Sequence, residues 1–167
     1  MPLIGIVAKK KNIQAIKKEL QERDIKIIEI TKESIKNIRN IKFEEIIFLE
    51  DINLEDVEYE FMNEIISNAK YLILNGDIKI NILEQIKIEK PIKLITFGFN
   101  SKSTITISSV REDKIIVCLQ RDIEKIDGRI IETQEKEITI SKENNKKIYN
   151  NLAIFIIKEL HNLWKTG

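Results

Sequence analysis

The residues that most often build special sites are scarce in this chain of 167 residues. It has one cysteine, one histidine, two prolines and five glycines. The single cysteine, Cys118, excludes an internal disulfide and favours a reducing compartment. With His161 as the only histidine, neither a nucleophile–histidine set nor a soft-ligand metal centre can be assembled. The sequence therefore predicts no catalytic residue, no metal site and no cofactor.

Strong charge of one sign and long apolar runs are also missing. Lysine and arginine total 28 against 27 acidic residues, so the net charge is only +1. This balance argues against a nucleic-acid partner. No apolar run approaches the roughly 20 residues that span a bilayer, and the first residues lack the basic segment of a signal peptide. We therefore expect a cytoplasmic protein without a membrane or nucleic-acid partner.

What the chain does contain is enough apolar material for a packed core. Hydrophobic residues make up 43% of it and charged residues 33%, a composition typical of globular proteins. Isoleucine alone occurs 38 times, so the core should be β-branched and aliphatic. The length and the lack of a linker predict one domain over residues 1–167.

The first hundred residues alternate between short apolar runs and segments with helical spacing. The runs predict strands at 3–8, 25–30, 45–49, 71–74 and 92–97. The segments between them predict helices at 12–20, 33–39, 56–68 and 80–88, the first capped by Asn12 and the third with helical spacing through Val57, Phe61 and Ile65. Such alternation predicts a mostly parallel sheet flanked by helices.

After Gly98 the pattern changes. Strict alternation at 104–108 and short runs at 114–120, 129–132 and 137–140 predict antiparallel hairpins. A long apolar stripe then predicts a closing helix over about 144–164. The predicted fold class is α/β: a parallel part at 1–100, a hairpin part at 101–142 and a C-terminal helix within 143–165.

The second half carries a family resemblance. One strand ends in Leu74-Asn75-Gly76-Asp77, a later strand reads Leu94-Ile95-Thr96-Phe97-Gly98, and after polar hairpins a helix opens with Tyr149-Asn150-Asn151-Leu152-Ala153. In order and spacing, residues 70–160 resemble the latter part of the Mur ligase central domain, which folylpolyglutamate synthases share. The resemblance implies that this chain has the fold of that domain and that the fold derives from a nucleotide-binding one.

The first half departs from that family in the part that binds ATP. The family's phosphate loop needs glycines to aim backbone amides at the phosphates, followed by Gly-Lys-Thr/Ser. The corresponding stretch, residues 5–12, has one glycine and no hydroxyl residue. The family's His-Asn pair falls on Lys146 and Lys147, and its magnesium-binding Glu and carbamylated Lys have no convincing match. The resemblance therefore implies an isolated central-domain relative, a degenerate nucleotide-binding fold.

Two strand ends in the first half carry candidate ligand-binding residues. Lys9, Lys10 and Lys11 stand where the first strand meets the first helix, whose amides attract anions. Asn75 and Asp77 follow the fourth strand, where ligands of open α/β sheets bind. The simpler interpretations are a solvated lysine-rich loop and an ordinary turn.

The third candidate is the polar loop after the fifth strand, with Asn100, Ser101 and Lys102, for which a hairpin-entry loop is the simpler interpretation. Glu50 and Asp51 suggest a phosphoacceptor, but the first strand is followed by lysines rather than acids, so that interpretation is rejected. Cys118 is assigned to core packing, and Trp164 to a packing anchor.

Three candidate functions of different class follow. The first is a non-catalytic relative of the Mur ligase central domain, acting as a binding or regulatory module without ATP-dependent ligase activity. The alternative is an enzyme acting on a phosphorylated or carboxylated small molecule at the strand-end cleft, and a third reading is a structural protein that assembles through apolar surface. The candidate partners are another protein, a second copy of the chain, or a weakly held nucleotide or anion.

Overall fold

β-branched strands and amphipathic helices alternate through the first compact unit of the protein, residues 1–95. The computed structural model describes residues 1–140 and 147–164. In the first unit the strands are β1 (Leu3–Val7), β2 (Lys26–Glu29), β3 (Glu45–Phe48), β4 (Tyr71–Asn75) and the start of β5 (Lys93–Phe97). The helices are α1 (Lys10–Leu20), α2 (Ile35–Ile38) and α3 (Asp56–Ser67), followed by a 3-10 turn at Asn81–Glu84.

The strand order of this unit is β5-β4-β3-β1-β2. β1 pairs in parallel with β2 and with β3, and β3 pairs in parallel with β4. All four residues of β3 are buried, as expected for a central strand that is covered on both faces. On one face, α2 and α3 pack through apolar residues such as Ile35, Met62 and Ile66. The predicted parallel α/β part is confirmed.

The second unit, residues 96–167, contains the antiparallel strands and the last helix. They are β6 (Ile105–Val110), β7 (Lys114–Leu119), β8 (Ile123–Glu124), β9 (Ile130–Ile131), β10 (Gln134–Thr139) and α4 (Ile148–His161). β6 begins beside the end of β5, with Phe97 opposite Ile105. β7 pairs antiparallel with both β6 and β10, and β8 with β9. The predicted hairpins and closing helix are confirmed, and the single domain over 1–167 stays a prediction.

Two helix predictions in the first unit were wrong at specific residues. The predicted helix at 80–88 is only the 3-10 turn, because Ile80 and Ile82 are both buried and a spacing of two cannot lie on one helix face. Asn12 is not a cap: the carbonyl of Lys9 already accepts from the amides of Asn12 and Ile13, at 2.9 and 3.1 Å. The helix therefore begins at Lys10, with Lys9 as its N-cap.

Further corrections concern α3 and α4. Val57 does not join the buried face of α3, because its side chain is 54% exposed. α4 ends before the predicted residue 164, because Asn162 adopts a left-handed conformation with φ of 54°. Residues 144–146 of the predicted closing helix lie outside the described residues. The predicted stripe is otherwise present, with Leu152, Ile156 and Leu160 buried in the core.

Candidate functional site

The strand order of the first unit creates a switch point between β1 and β3. The chain leaves β1 toward β2 on one side and later returns to place β3 on the other side. In doubly wound sheets of order 2-1-3-4-5, ligands bind beyond the carboxyl ends of the two strands where the winding direction reverses. The candidate site of this unit is therefore the carboxyl edge of β1, β3 and β4, which we call the switch-point edge.

The ends of β1 and β3 are held together at this edge. The carbonyl of Val7 accepts hydrogen bonds from the amides of Leu49 and Glu50, at 3.0 and 3.3 Å. Lys9 Nζ lies 4.0 Å from Glu50 Oε1, with both side chains substantially exposed. An exposed pair at that distance is weak, so Lys9 keeps most of its capacity to attract an anion.

Asn75 connects the ends of β3 and β4. Its side chain is 2% exposed, and Nδ2 donates to the carbonyl of Leu49 at 3.2 Å. Its Oδ1 accepts from the amide of Asp77 at 3.0 Å, which folds the turn after β4. Asn75 is thus a positioning residue that is buried beneath the edge, whereas the half-buried Asp77 lies nearer the surface.

Asp51 is a site residue that the sequence analysis set aside. Its Oδ2 accepts from Asn81 Nδ2 at 3.0 Å. Its Oδ1 is buried and has no hydrogen-bond partner among the described residues. A buried carboxylate oxygen favours a donor strongly, whereas the hydrogen bond of Oδ2 to Asn81 is exposed, so Oδ2 is the oxygen that a ligand hydroxyl or amine can reach. In the sequence, Glu50 and Asp51 stand two and three residues after the end of β3. Their place in a site depends on the strand order, which the sequence does not give.

The three predicted lysines lie at the start of α1. Lys9 is the N-cap, and Lys10 and Lys11 are exposed in the first turn, which contains no acidic residue. Cations at a helix N-terminus are unfavourable because they add to the positive end of the helix dipole. An anionic ligand at this end of α1 would relieve that repulsion.

The same turn does not fit the triphosphate of ATP. Only Ala8 and Lys9 separate the end of β1 from the start of α1. Gly5 lies within β1, and a Cβ at that position would be 2.5 Å from Ile30 Cδ1. Gly5 therefore serves the close packing of β1 against the residue that follows β2, and the turn lacks the glycines that a phosphate loop requires.

The second unit holds the remaining predicted residues in one loop. Asn100, Ser101 and Lys102 are all exposed in the turn between β5 and β6. The Asn100 side-chain oxygen accepts from the amide of Lys102 at 2.9 Å, and the Asn100 carbonyl accepts from the amide of Ser103 at 3.0 Å. The structure thus brings these three predicted residues together in a single folded turn.

The described residues include neither a metal-binding group nor a membrane-spanning helix. No group of three or more His, Cys, Asp or Glu among residues 1–140 and 147–164 is placed to hold a metal ion. Within the same residues no helix is long and apolar enough to cross a membrane. Cys118 is half-buried on β7.

Comparison with known proteins adds no assignment to this geometry: neither a protein-family model nor a curated protein matches the chain.

Proposed function

We propose that this chain is a non-catalytic relative of the Mur ligase central domain that binds a small ligand at the switch-point edge, without ATP-dependent ligase activity. The observation that carries the proposal is the pairing of two features at that edge. Polar side chains from the ends of β1, β3 and β4 lie at that edge, and the β1–α1 turn consists of only two residues. The edge is suited to hold a ligand and unsuited to wrap a triphosphate.

The groups at this edge favour a ligand of mixed chemistry. Lys9, Lys10 and Lys11 supply positive charge at the end of α1 where helix amides also attract anions. Asp51 and Asp77 supply carboxylate oxygens that accept from hydroxyl groups. A phosphorylated molecule with free hydroxyl groups, of the nucleotide or sugar-phosphate class, satisfies both.

A regulatory or scaffolding role fits this site better than catalysis does. The carbonyl of Val7 accepts from the amides of Leu49 and Glu50, and the side chain of Asn75 bonds to the carbonyl of Leu49 and the amide of Asp77. These contacts fix the strand ends rather than activate a nucleophile or a water molecule. The ligand would therefore be retained and not converted.

Thermal unfolding of the full chain tests the proposal. The probes are ADP, ATP and a uridine diphosphate sugar, each with and without Mg²⁺. A ligand at 100 times its dissociation constant stabilises the fold by about 2.7 kcal/mol, which is about 5 to 10 °C in Tm for a chain of this size. Asp51→Asn should reduce that shift, whereas Asp24→Asn, an exposed carboxylate away from the edge, should not.

Two results would contradict the proposal. The absence of a shift with every probe would contradict ligand binding at the switch-point edge and would favour a protein partner. Turnover of ATP or of the bound ligand would contradict the non-catalytic role and favour the alternative, an enzyme that acts on a phosphorylated or carboxylated small molecule.

A further inference from the structure

The loop between β5 and β6 is held by side chains from the end of β7. Gln120 Nε2 donates to the carbonyls of Ser101 and Ser103, at 2.8 and 2.7 Å. Arg121 Nη2 donates to the carbonyl of Lys102 at 3.1 Å. Three successive carbonyls are thus drawn toward β7, and the loop is fixed in one conformation before any ligand arrives. A preorganised loop loses little conformational entropy on binding.

An aromatic side chain stands exposed on this fixed loop. Phe99 is 51% exposed, and its ring meets Tyr149 in a T-shaped contact with centroids 6.3 Å apart. Tyr149 in turn contacts the buried Phe97 at 6.5 Å. This series of rings fixes Phe99 in place from the core outward, and a ring that is half exposed offers a surface on which another planar ring can stack.

The loop that follows Phe99 and the residues that hold it include cations but no carboxylate. The loop residues are Asn100, Ser101 and Lys102, the residues that hold them are Gln120 and Arg121, and the two cations are Lys102 and Arg121. Because the carbonyls of residues 101–103 are already engaged, the exposed side chains of Ser101 and Lys102 contribute donors, a hydroxyl and an ammonium group, to the surface of the loop. Such a set attracts an anion with several acceptor oxygens.

We propose that this loop is a second binding site, separate from the switch-point edge in its residues, and that it takes a planar ring bearing an anionic group, as in a nucleoside monophosphate. The ring stacks on Phe99, and the phosphate is held by Lys102 and the neighbouring donors of the loop. Base–aromatic stacking tolerates many ring types, so the site selects for a flat ring with a nearby negative charge rather than for one base.

Calorimetric titration of the full chain with AMP, adenosine and ribose 5-phosphate tests the site. AMP should bind more tightly than either fragment, because only AMP carries both the ring and the phosphate. Phe99→Ala should raise the dissociation constant of AMP about 5- to 100-fold, whereas Phe99→Tyr should leave it nearly unchanged. Lys102→Gln should weaken binding several-fold and reduce its dependence on salt.

Matched variants separate this site from general surface effects. Ile130→Ala removes a side chain that is 55% exposed in the same unit, and Arg111→Gln removes an exposed cation from the β6–β7 turn. Neither should change AMP binding. Unchanged Tm values for the Phe99 and Lys102 variants would show that these chains remain folded.

Three results would overturn the proposal: no AMP binding, equal affinity for AMP and ribose 5-phosphate, or wild-type affinity in Phe99→Ala. The switch-point edge is tested separately by Lys9→Gln. If Lys9→Gln abolishes AMP binding and Phe99→Ala does not, the ligand belongs to the edge, which would overturn this proposal while supporting the proposed function.

Discussion

The indole nitrogen of Trp164 donates a hydrogen bond of 2.9 Å to Oε1 of Glu159. The same carboxylate oxygen accepts a hydrogen bond of 2.5 Å from Lys136 Nζ. That ammonium group lies 4.5 Å from the centre of the Trp164 ring. Phe155 completes the contact, with its ring 5.9 Å from the ring of Trp164. The cluster joins β10, α4 and the segment that follows α4, so Trp164 is the packing anchor that the sequence predicted.

This cluster predicts that Lys136→Met destabilises the protein more than the loss of an ordinary surface lysine would. Glu159 is only 9% exposed, so without Lys136 its carboxylate stays buried with one donor fewer. We expect a loss of about 1 to 2 kcal/mol, limited by the partial exposure of Lys136. Urea unfolding followed by Trp164 fluorescence measures it. The double variant Lys136→Met, Glu159→Gln should recover part of the loss, and simple additivity would show that the two residues are not coupled.

The tight packing at Gly5 predicts a specific pair of effects. Gly5→Ala places a methyl group 2.5 Å from Ile30 Cδ1, and overpacking of this kind costs about 1 to 3 kcal/mol. Ile30→Val removes that same Cδ1 atom. In denaturant unfolding, the double variant should therefore be more stable than the sum of the single changes predicts. If Gly5→Ala is neutral, the strands around β1 are less closely packed than the structure indicates.

The two hydrogen bonds of the Asn75 side chain predict that this residue stabilises the switch-point edge. Asn75→Ala leaves the carbonyl of Leu49 and the amide of Asp77 without their partner, at a cost of about 1 to 3 kcal/mol. Asn75→Asp keeps the acceptor for the Asp77 amide but cannot donate to Leu49 when ionised. It should be destabilised at neutral pH and less so at acidic pH. Equal stability of Asn75→Asp at both pH values would contradict this account.

The turn between β8 and β9 predicts a pH effect. The Arg129 side chain and amide, together with Asn162, donate to Asp127 and hold the pKa of that carboxyl well below its usual 3.8. A lowered pKa in the folded state gives stability that is present above the unfolded pKa and lost as the pH falls below it. Asp127→Asn should therefore make stability less dependent on pH between about 5 and 2.

Arg129→Gln provides the control for this turn. It removes the largest cause of the lowered pKa and should flatten the acid limb in part, because the Arg129 amide and Asn162 still donate to Asp127. The double variant should match Asp127→Asn alone, because the contribution of the Arg129 side chain acts through that carboxylate. Unfolding curves at pH 7 and pH 3 measure this. Two independent, additive effects would show that Asp127 and Arg129 act on stability through different partners.

The strands were the most predictable part of the fold. Runs such as residues 46–49 and 71–74 consist throughout of Ile, Leu, Phe and Tyr, which fits strands that are covered on both faces. The helix predicted at 80–88 failed because tertiary burial of Ile80 and Ile82 overrode the apparent helical spacing. Strand order was beyond the sequence, since parallel pairing depends on contacts between residues distant along the chain.

The candidate sites were predictable only in part for the same reason. Lys9 and Asn75 could be selected from the sequence because each directly follows a predicted strand, at 3–8 and 71–74. Asp51 gained its role once β1 and β3 were seen to be neighbours. The binding of the loop carbonyls by Gln120 depends on the register of β6 against β7, where Ile105 lies opposite Leu119. No local pattern specifies that register.

The position of β1 between β2 and β3 has a consequence for synthesis on the ribosome. β1 is translated before both of its neighbours, and the second of them does not exist until Glu45–Phe48 has been translated. Until then one edge of Leu3–Val7 presents unpaired amides and carbonyls beside isoleucine side chains, a template for association with other nascent chains. We expect early engagement by chaperones, and slow translation through residues 8–44 should lengthen the period of risk.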